Sequence, residues 1–67
     1  MITEIGITAG DIWHYLENHG KSPLSEVIRS IDTERDRVLM SIGWLAQEGH
    51  IIVEKREMDY YIYLKKI

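Results

Sequence analysis

The side chains best able to carry chemistry in this sequence are cations in its second half. Residues 35–67 contain six basic and five acidic side chains, a net charge of +1, whereas residues 1–34 contain two basic and six acidic ones, a net charge of −4. The six cations are Arg35, Arg37, Lys55, Arg56, Lys65 and Lys66. Because lysine and arginine neutralise phosphates, they could form a rim against a nucleic-acid backbone. The alternative is a solvated surface, since acidic residues interleave with them.

Neither a metal site nor a catalytic site is expected. His14 and His19 are five residues apart, which turns them to different sides of a helix, and the chain has no cysteine. No serine–histidine–aspartate order, glycine-rich phosphate loop or pair of carboxylates stands out. The strand that contains Tyr60, Tyr61 and Tyr63 is expected to fill a ribbon rather than to stack bases. We therefore predict a protein that is not an enzyme and has no small-molecule cofactor.

Length and composition predict one small domain over residues 1–67, with its core at about 8–64. A chain of 67 residues buries only about 60% of its unfolded surface, so most of its apolar side chains must contribute to the core. No apolar run approaches the length of a membrane span, and the first ten residues do not resemble a signal peptide. These features, with the lack of cysteine, favour the cytoplasm and no membrane partner. The net charge of −3 disfavours tight nucleic-acid binding.

Three helices are predicted from apolar spacing and capping residues. Helix 1 is expected at about 9–18, with Thr8 and Asp11 as a capping pair and Gly20 as the stop. Its apolar stripe is Ala9, Ile12, Trp13 and Leu16. Helix 2 is expected at about 23–31, with Ser22 as cap and Pro23 in its first turn. Its stripe is Leu24, Val27, Ile28 and Ile31. Helix 3 is expected at about 34–48, capped by Thr33 and ending before Gly49.

The last part of the chain changes from helical to strand spacing. Residues 51–55 and 60–64 are rich in β-branched and aromatic side chains, and a short polar loop separates them. They predict a hairpin that closes over the helices with Ile51, Val53, Ile62 and Leu64 on one face. A further strand could lie near 2–7 or 21–22. The predicted fold is therefore α+β: three helices followed by a C-terminal β-hairpin wing.

This order resembles winged helix-turn-helix domains. The stretches Thr8–Trp13 and Ile42–Ala46 also resemble a small prokaryotic winged-helix family without an established function. The resemblance implies that helix 3 enters the major groove of double-stranded DNA while the wing touches the backbone. On that basis the expected DNA-contacting residues are Arg35, Arg37, Gln47, Lys55 and Arg56. The implied role is transcription regulation, through weak and mainly phosphate contacts.

Helix 3 also supports a second interpretation. At about 100° per residue, Val38, Ser41, Ile42 and Leu45 face the core, and the other side carries Met40, Gly43 and Trp44. None of those three can make the bidentate base contacts of arginine, asparagine or glutamine. Tryptophan and methionine are favoured at protein interfaces, so this side could instead bind a second copy or another protein. We expect such binding to cover the DNA-facing surface. The alternative is that Trp44 folds back onto the wing or the N-terminal segment as peripheral core. Gly43 is expected to allow close approach, either of a partner or of this chain's own wing.

Overall fold

Three helices and a three-stranded antiparallel sheet form the protein in the computed structural model, which describes residues 1–66. The helices are α1 (Ile2–His19), α2 (Leu24–Ser30) and α3 (Arg35–Gln47). The strands are β1 (Ser22–Pro23), β2 (Ile51–Arg56) and β3 (Asp59–Leu64), with β3 in the centre. The predicted fold is confirmed, and the added strand lies at the second of the two places considered. No helix within residues 1–66 is long and apolar enough to cross a membrane.

The predicted start of helix 1 is wrong. Thr8 does not cap a helix but lies buried within α1, which begins at Ile2. The apolar stripe continues backwards from Ala9 through Ile5 to Ile2, at the same alternation of three and four residues. The Ser41 hydroxyl lies 3.2 Å from the Ile5 carbonyl oxygen and so links this first part of α1 to α3. Packing on α3 therefore extends the helix beyond the local capping signal.

Two other residues that were predicted to cap helices, Ser22 and Thr33, do not do so. Ser22 and Pro23 form β1, and Pro23 is the extended residue before α2. The Ser22 hydroxyl donates to the Gly20 carbonyl oxygen at 2.8 Å instead of capping α2. At α3 the N-cap position is Glu34 rather than Thr33, and no side chain caps the helix. Pairing of Ser22 and Pro23 with β3 explains the first change, because a strand needs the extended backbone that proline also favours.

The helix ends follow the glycine signals. Gly20 has φ 72° and its amide donates to the Leu16 carbonyl at 2.8 Å. Gly49 has φ 78°, a left-handed conformation that glycine adopts without a side-chain clash. The Gly49 amide donates to Ala46 at 3.1 Å and the His50 amide donates to Leu45 at 2.9 Å. This pair of bonds is a Schellman motif, so the predicted stop before Gly49 is confirmed.

The wing is the β2–β3 hairpin. Its register pairs Ile51 with Leu64 and Val53 with Ile62, so these four side chains share one face, as expected. Ile51 and Ile62 are buried, whereas Val53, which pairs with Ile62, is exposed on the edge strand β2. The strands extend to Arg56 and Asp59, one residue further than expected at each side of the turn. Only two residues form the turn, and the first of them, Glu57, has a φ of 51°.

The core lies between α1, α2, α3 and the inner face of the sheet. Ile12, Leu16, Val27, Val38, Ile42 and Leu45 are all buried in it. Trp13 and Ile28 were expected there too, but both are half-buried at its edge. Ser41 on α3 is fully buried, and its hydroxyl also lies 2.8 Å from the Arg37 carbonyl oxygen. The core therefore fixes α3 against α1 along the Val38–Leu45 side, as the helical spacing predicts.

Candidate nucleic-acid and protein-binding surfaces

The side of α3 opposite the core is polar only in part. Asp36, Gly43 and Gln47 are all exposed, and they fall opposite Val38 and Leu45 at about 100° per residue. Only Gln47 among these three has a side chain able to make a bidentate contact with adenine. Asp36 would repel a phosphate. This side of the helix therefore has little capacity to distinguish one base sequence from another.

Two of the predicted contact residues, Arg35 and Lys55, are exposed cations that take no part in the ion pairs formed within residues 1–66. Arg35 is the first residue of α3, and its guanidinium makes no salt bridge within the described part of the chain. Lys55 lies on β2 with its Nζ 5.7 Å from the centre of the Tyr60 ring. That contact is a cation–π interaction, which leaves the ammonium group able to bind an anion from the solvent side. One cation thus lies on α3 and one on the wing.

Arg56 is held by a network on the outer face of the sheet. Its Nε donates to Glu54 Oε1 at 2.8 Å, and the same oxygen accepts from Lys21 Nζ at 2.9 Å. Lys21 also lies 4.9 Å from the centre of the Tyr63 ring, and Arg56 lies 5.8 Å from that of Tyr61. Hydrogen bonding from Lys21, followed by the charges of Lys21 and Arg56, holds the pKa of Glu54 below its ordinary value. Glu54 therefore offsets part of the positive charge on the wing.

Arg37 differs from the other predicted contact residues because it turns toward α1. It is half-buried, and its Nε is enclosed without a hydrogen-bond partner among the described residues. The carboxylate of Glu4 accepts hydrogen bonds from its own backbone amide and from the N-terminal ammonium group, and these bonds are the main cause of its lowered pKa. The charge of Arg37 has a smaller effect in the same direction. Arg37 therefore lies near the start of α1 and is less available to DNA than Arg35.

Trp44 lies over α1 and is the largest exposed aromatic group on α3. Its exposed fraction is 46%, and it lines a depression of about 320 Å³ together with Ile2, Ile5 and Gly6. A second depression of about 260 Å³ adjoins the first, since both include Gly6 and Trp44, and it extends to Gly10 and Trp13. We call this continuous surface between α1 and α3 the furrow, with the lining residues Ile2, Ile5, Gly6, Gly10, Trp13 and Trp44. It is predominantly apolar.

The other two predicted interface residues lie beside Trp44. Met40 is 43% exposed, one helical turn before it. A Cβ atom added at Gly43 would meet nothing within 4 Å. The interpretation that Gly43 makes room for this chain's own wing is therefore wrong. Trp44 leans toward α1 while Gly43 and Gln47 point outward, so the furrow and the outward side of α3 are neighbouring surfaces rather than one.

Several residues of these surfaces were not identified from the sequence. Ile2 and Ile5 were outside the predicted helix, although their spacing from Ala9 was the signal that could have found them. Lys21 was considered only as part of a possible strand, and nothing local indicates its pairing with Glu54, 33 positions away. The three histidines are dispersed: His14 lies 3.7 Å from Glu17, His19 stacks on Tyr15 and His50 lies beside Trp44.

Comparison with known proteins agrees with this architecture. The chain matches the family described as winged helix-turn-helix domain (DUF2582) over residues 1–64. It is 41% identical to the uncharacterized protein MJ1608 of Methanocaldococcus jannaschii, over 92% of this chain and 91% of that protein. Its fold is similar to the solution NMR structure of protein BT2368 from Bacteroides thetaiotaomicron, with a TM-score of 0.78, 27% identity, and coverage of 92% of this chain and 76% of that one. Winged-helix domains are generally not enzymes. The chain thus belongs to the DUF2582 family of winged helix-turn-helix domains.

Proposed function

We propose that this protein binds double-stranded DNA weakly, through the phosphate backbone and with little regard to base sequence. The observation that carries the proposal is the pair of exposed cations on α3 and on the wing, Arg35 and Lys55. These are the two elements through which winged-helix domains contact DNA. Family membership supports the same role, and a regulatory function would follow from it. Phosphate contacts fix the position of a protein on the duplex without reading bases.

The proposed contacts are not equivalent. Arg35 and Lys55 make the main phosphate contacts, and Gln47 is the one residue that reaches a base edge. Arg56 contributes less because Glu54 accepts its Nε–H at 2.8 Å. Arg37 contributes least because it is half-buried beside α1. The net charge of −3 adds repulsion from the duplex, so binding is weak. The phosphate contacts release counterions and make that binding sensitive to salt.

Fluorescence anisotropy tests this proposal with two labelled duplexes of equal length and unrelated sequence. We expect similar affinities for the two, and a loss of binding when salt rises from about 50 to about 200 mM. A strong preference for one duplex would contradict phosphate-only recognition. No binding to either at about 50 mM salt would contradict DNA binding itself.

A second function, protein binding through the α1–α3 side, is supported by a different observation. Trp44 is 46% exposed beside the exposed side chain of Met40. Exposed apolar patches are typical of contact sites, and tryptophan is enriched among residues that dominate binding energy. In this proposal Met40, Gly43 and Trp44 face a second copy or another protein. A Trp44→Ser substitution should abolish that association while it leaves DNA affinity within about twofold, because Trp44 makes none of the proposed phosphate contacts.

A further inference from the structure

The furrow has the shape of a helix-binding surface. On α1 the residues Ile2, Gly6 and Gly10 form an i, i+4, i+8 row, the kind of ridge that packs between the ridges of another helix. Cβ atoms added at Gly6 and Gly10 would meet nothing within 4 Å. The row therefore has no side chain at two successive positions, and Trp44 from α3 lines the other side of the furrow.

The same row also carries a projecting side chain. Ile2 is 87% exposed although it belongs to a regular helix and lines the furrow. The α1 surface thus has a protrusion at Ile2 and an open backbone at Gly10, about 12 Å further along the helix at 1.5 Å per residue. A protrusion and a recess on one surface at a fixed spacing can match each other in two copies of the chain.

We infer that a second copy of this chain occupies the furrow in a two-fold dimer, with the two α1 helices antiparallel and crossing at Gly6. This inference rests on the second function proposed above and names its partner. In this register Ile2 of one copy meets Gly10 of the partner subunit, and the reverse contact forms by symmetry. Such reciprocity is the property of a two-fold interface. Trp44 of each copy packs against α1 of the other.

The available surface limits the strength of this dimer. A standard interface buries about 800 Å² on each partner, while the whole chain exposes 4775 Å². A face about 27 Å long and two helices wide offers on the order of 500 Å² per copy. This is at the low end for specific association, so we expect a dimer with a dissociation constant in roughly the micromolar range.

The dimer expected from the sequence would cover the DNA-facing side of α3, whereas this arrangement leaves the proposed DNA contacts accessible. The furrow lies on the α1 side of α3, whereas Gly43 and Gln47 point outward from the core. Each copy would thus keep its own α3 helix and its own wing available to a duplex. Association and DNA binding are separate measurements, so failure of one does not imply failure of the other.

Sedimentation equilibrium tests the inference with the parent and two matched variants. The protein concentration is varied across about 1–500 µM, a range that spans the expected dissociation constant. Gly6→Glu and Asn18→Glu place the same side chain at exposed positions of α1, the first inside the furrow and the second outside it. We expect the parent and Asn18→Glu to dimerise and Gly6→Glu to remain a folded monomer, as circular dichroism would verify. A parent that is monomeric throughout overturns the inference. Dimerisation that survives Gly6→Glu overturns the proposed crossing.

The register has an independent test, because the chain has no cysteine. Ile2→Cys and Gly10→Cys proteins are mixed and oxidised without denaturant. We expect the mixed disulfide to form faster than either symmetric one. Equal rates for all three pairs contradict the antiparallel register. A monomeric parent that instead retains a different protein in a Trp44-dependent manner would keep the proposed surface and reject the second copy as its occupant.

Discussion

Lys21 Nζ lies 2.9 Å from Glu54 Oε1, although the two residues are 33 positions apart. This ion pair connects the segment before β1 to β2 across the central strand, and Arg56 joins the same carboxylate oxygen. It therefore closes the outer face of the sheet without contributing to the core. The pair also explains why the wing presents less positive charge than its sequence predicts.

The first prediction concerns acid stability. The pKa of Glu54 is depressed in the folded protein, chiefly by its hydrogen bond from Lys21. A group with a depressed folded pKa stabilises the fold above its unfolded value, near 4.5, and loses that effect as the pH falls through the folded pKa. Glu54→Gln should therefore be less stable than the parent at pH 7, and this difference should shrink below pH 4.5.

Urea unfolding at a series of pH values measures that difference. Glu57→Gln is the control, since Glu57 lies in the wing turn and makes none of the ion pairs formed within residues 1–66. Its stability should follow that of the parent at every pH. A constant gap between Glu54→Gln and the parent from pH 7 to pH 3 would show that the ion pair does not operate.

The second prediction concerns the core. Leu45 is 3% exposed and lies among the buried side chains of α1 and α3. Leu45→Ala should lower the free energy of unfolding by about 2–5 kcal/mol, a range typical of buried leucine. In so small a protein that loss could unfold it at room temperature. Thermal unfolding followed by circular dichroism would detect it, with Gln47→Ala on the same helix as control. An unchanged melting temperature for Leu45→Ala would contradict the orientation of α3.

The third prediction uses two glycines that differ in backbone conformation. Gly49 has φ 78°, so Gly49→Ala should destabilise the protein by about 1–2 kcal/mol. Gly43 lies inside α3, and a Cβ there would meet nothing within 4 Å. Gly43→Ala should therefore stabilise it by about 0.5–1 kcal/mol. Chemical denaturation of both variants checks the opposite signs. Destabilisation by Gly43→Ala would indicate that the open space at α3 is filled in solution.

Local signals predicted the elements well where they agreed with tertiary packing. Gly49 ends α3 through its own backbone preference, and the Val38–Leu45 spacing placed the core side of α3 correctly. Thr8 failed as a helix cap because α1 extends to Ile2, where contact with α3 outweighs the local signal. Ser22 joined a strand because β3, forty residues later, was available to pair with it.

The candidate surfaces were predictable only in part for a related reason. The exposure of Met40 and Trp44 follows from helical periodicity, and it is observed. Which neighbour each side chain meets depends on contacts distant in sequence. Arg37 turns toward α1. Arg56 and Lys21 both donate to the same carboxylate oxygen of Glu54. Charge counting along the chain cannot distinguish such engaged cations from Arg35 and Lys55.

The most direct test of the proposed function is the salt dependence of duplex binding for the parent and for the double variant Arg35→Gln, Lys55→Gln. Two phosphate contacts predict a slope of about −2 in a plot of log affinity against log salt, at about −0.9 per contact. The double variant should approach zero slope, while Lys65→Gln with Lys66→Gln, which removes the same charge elsewhere, should keep most of it. A double variant whose slope equals that of the parent would contradict phosphate contact by α3 and the wing.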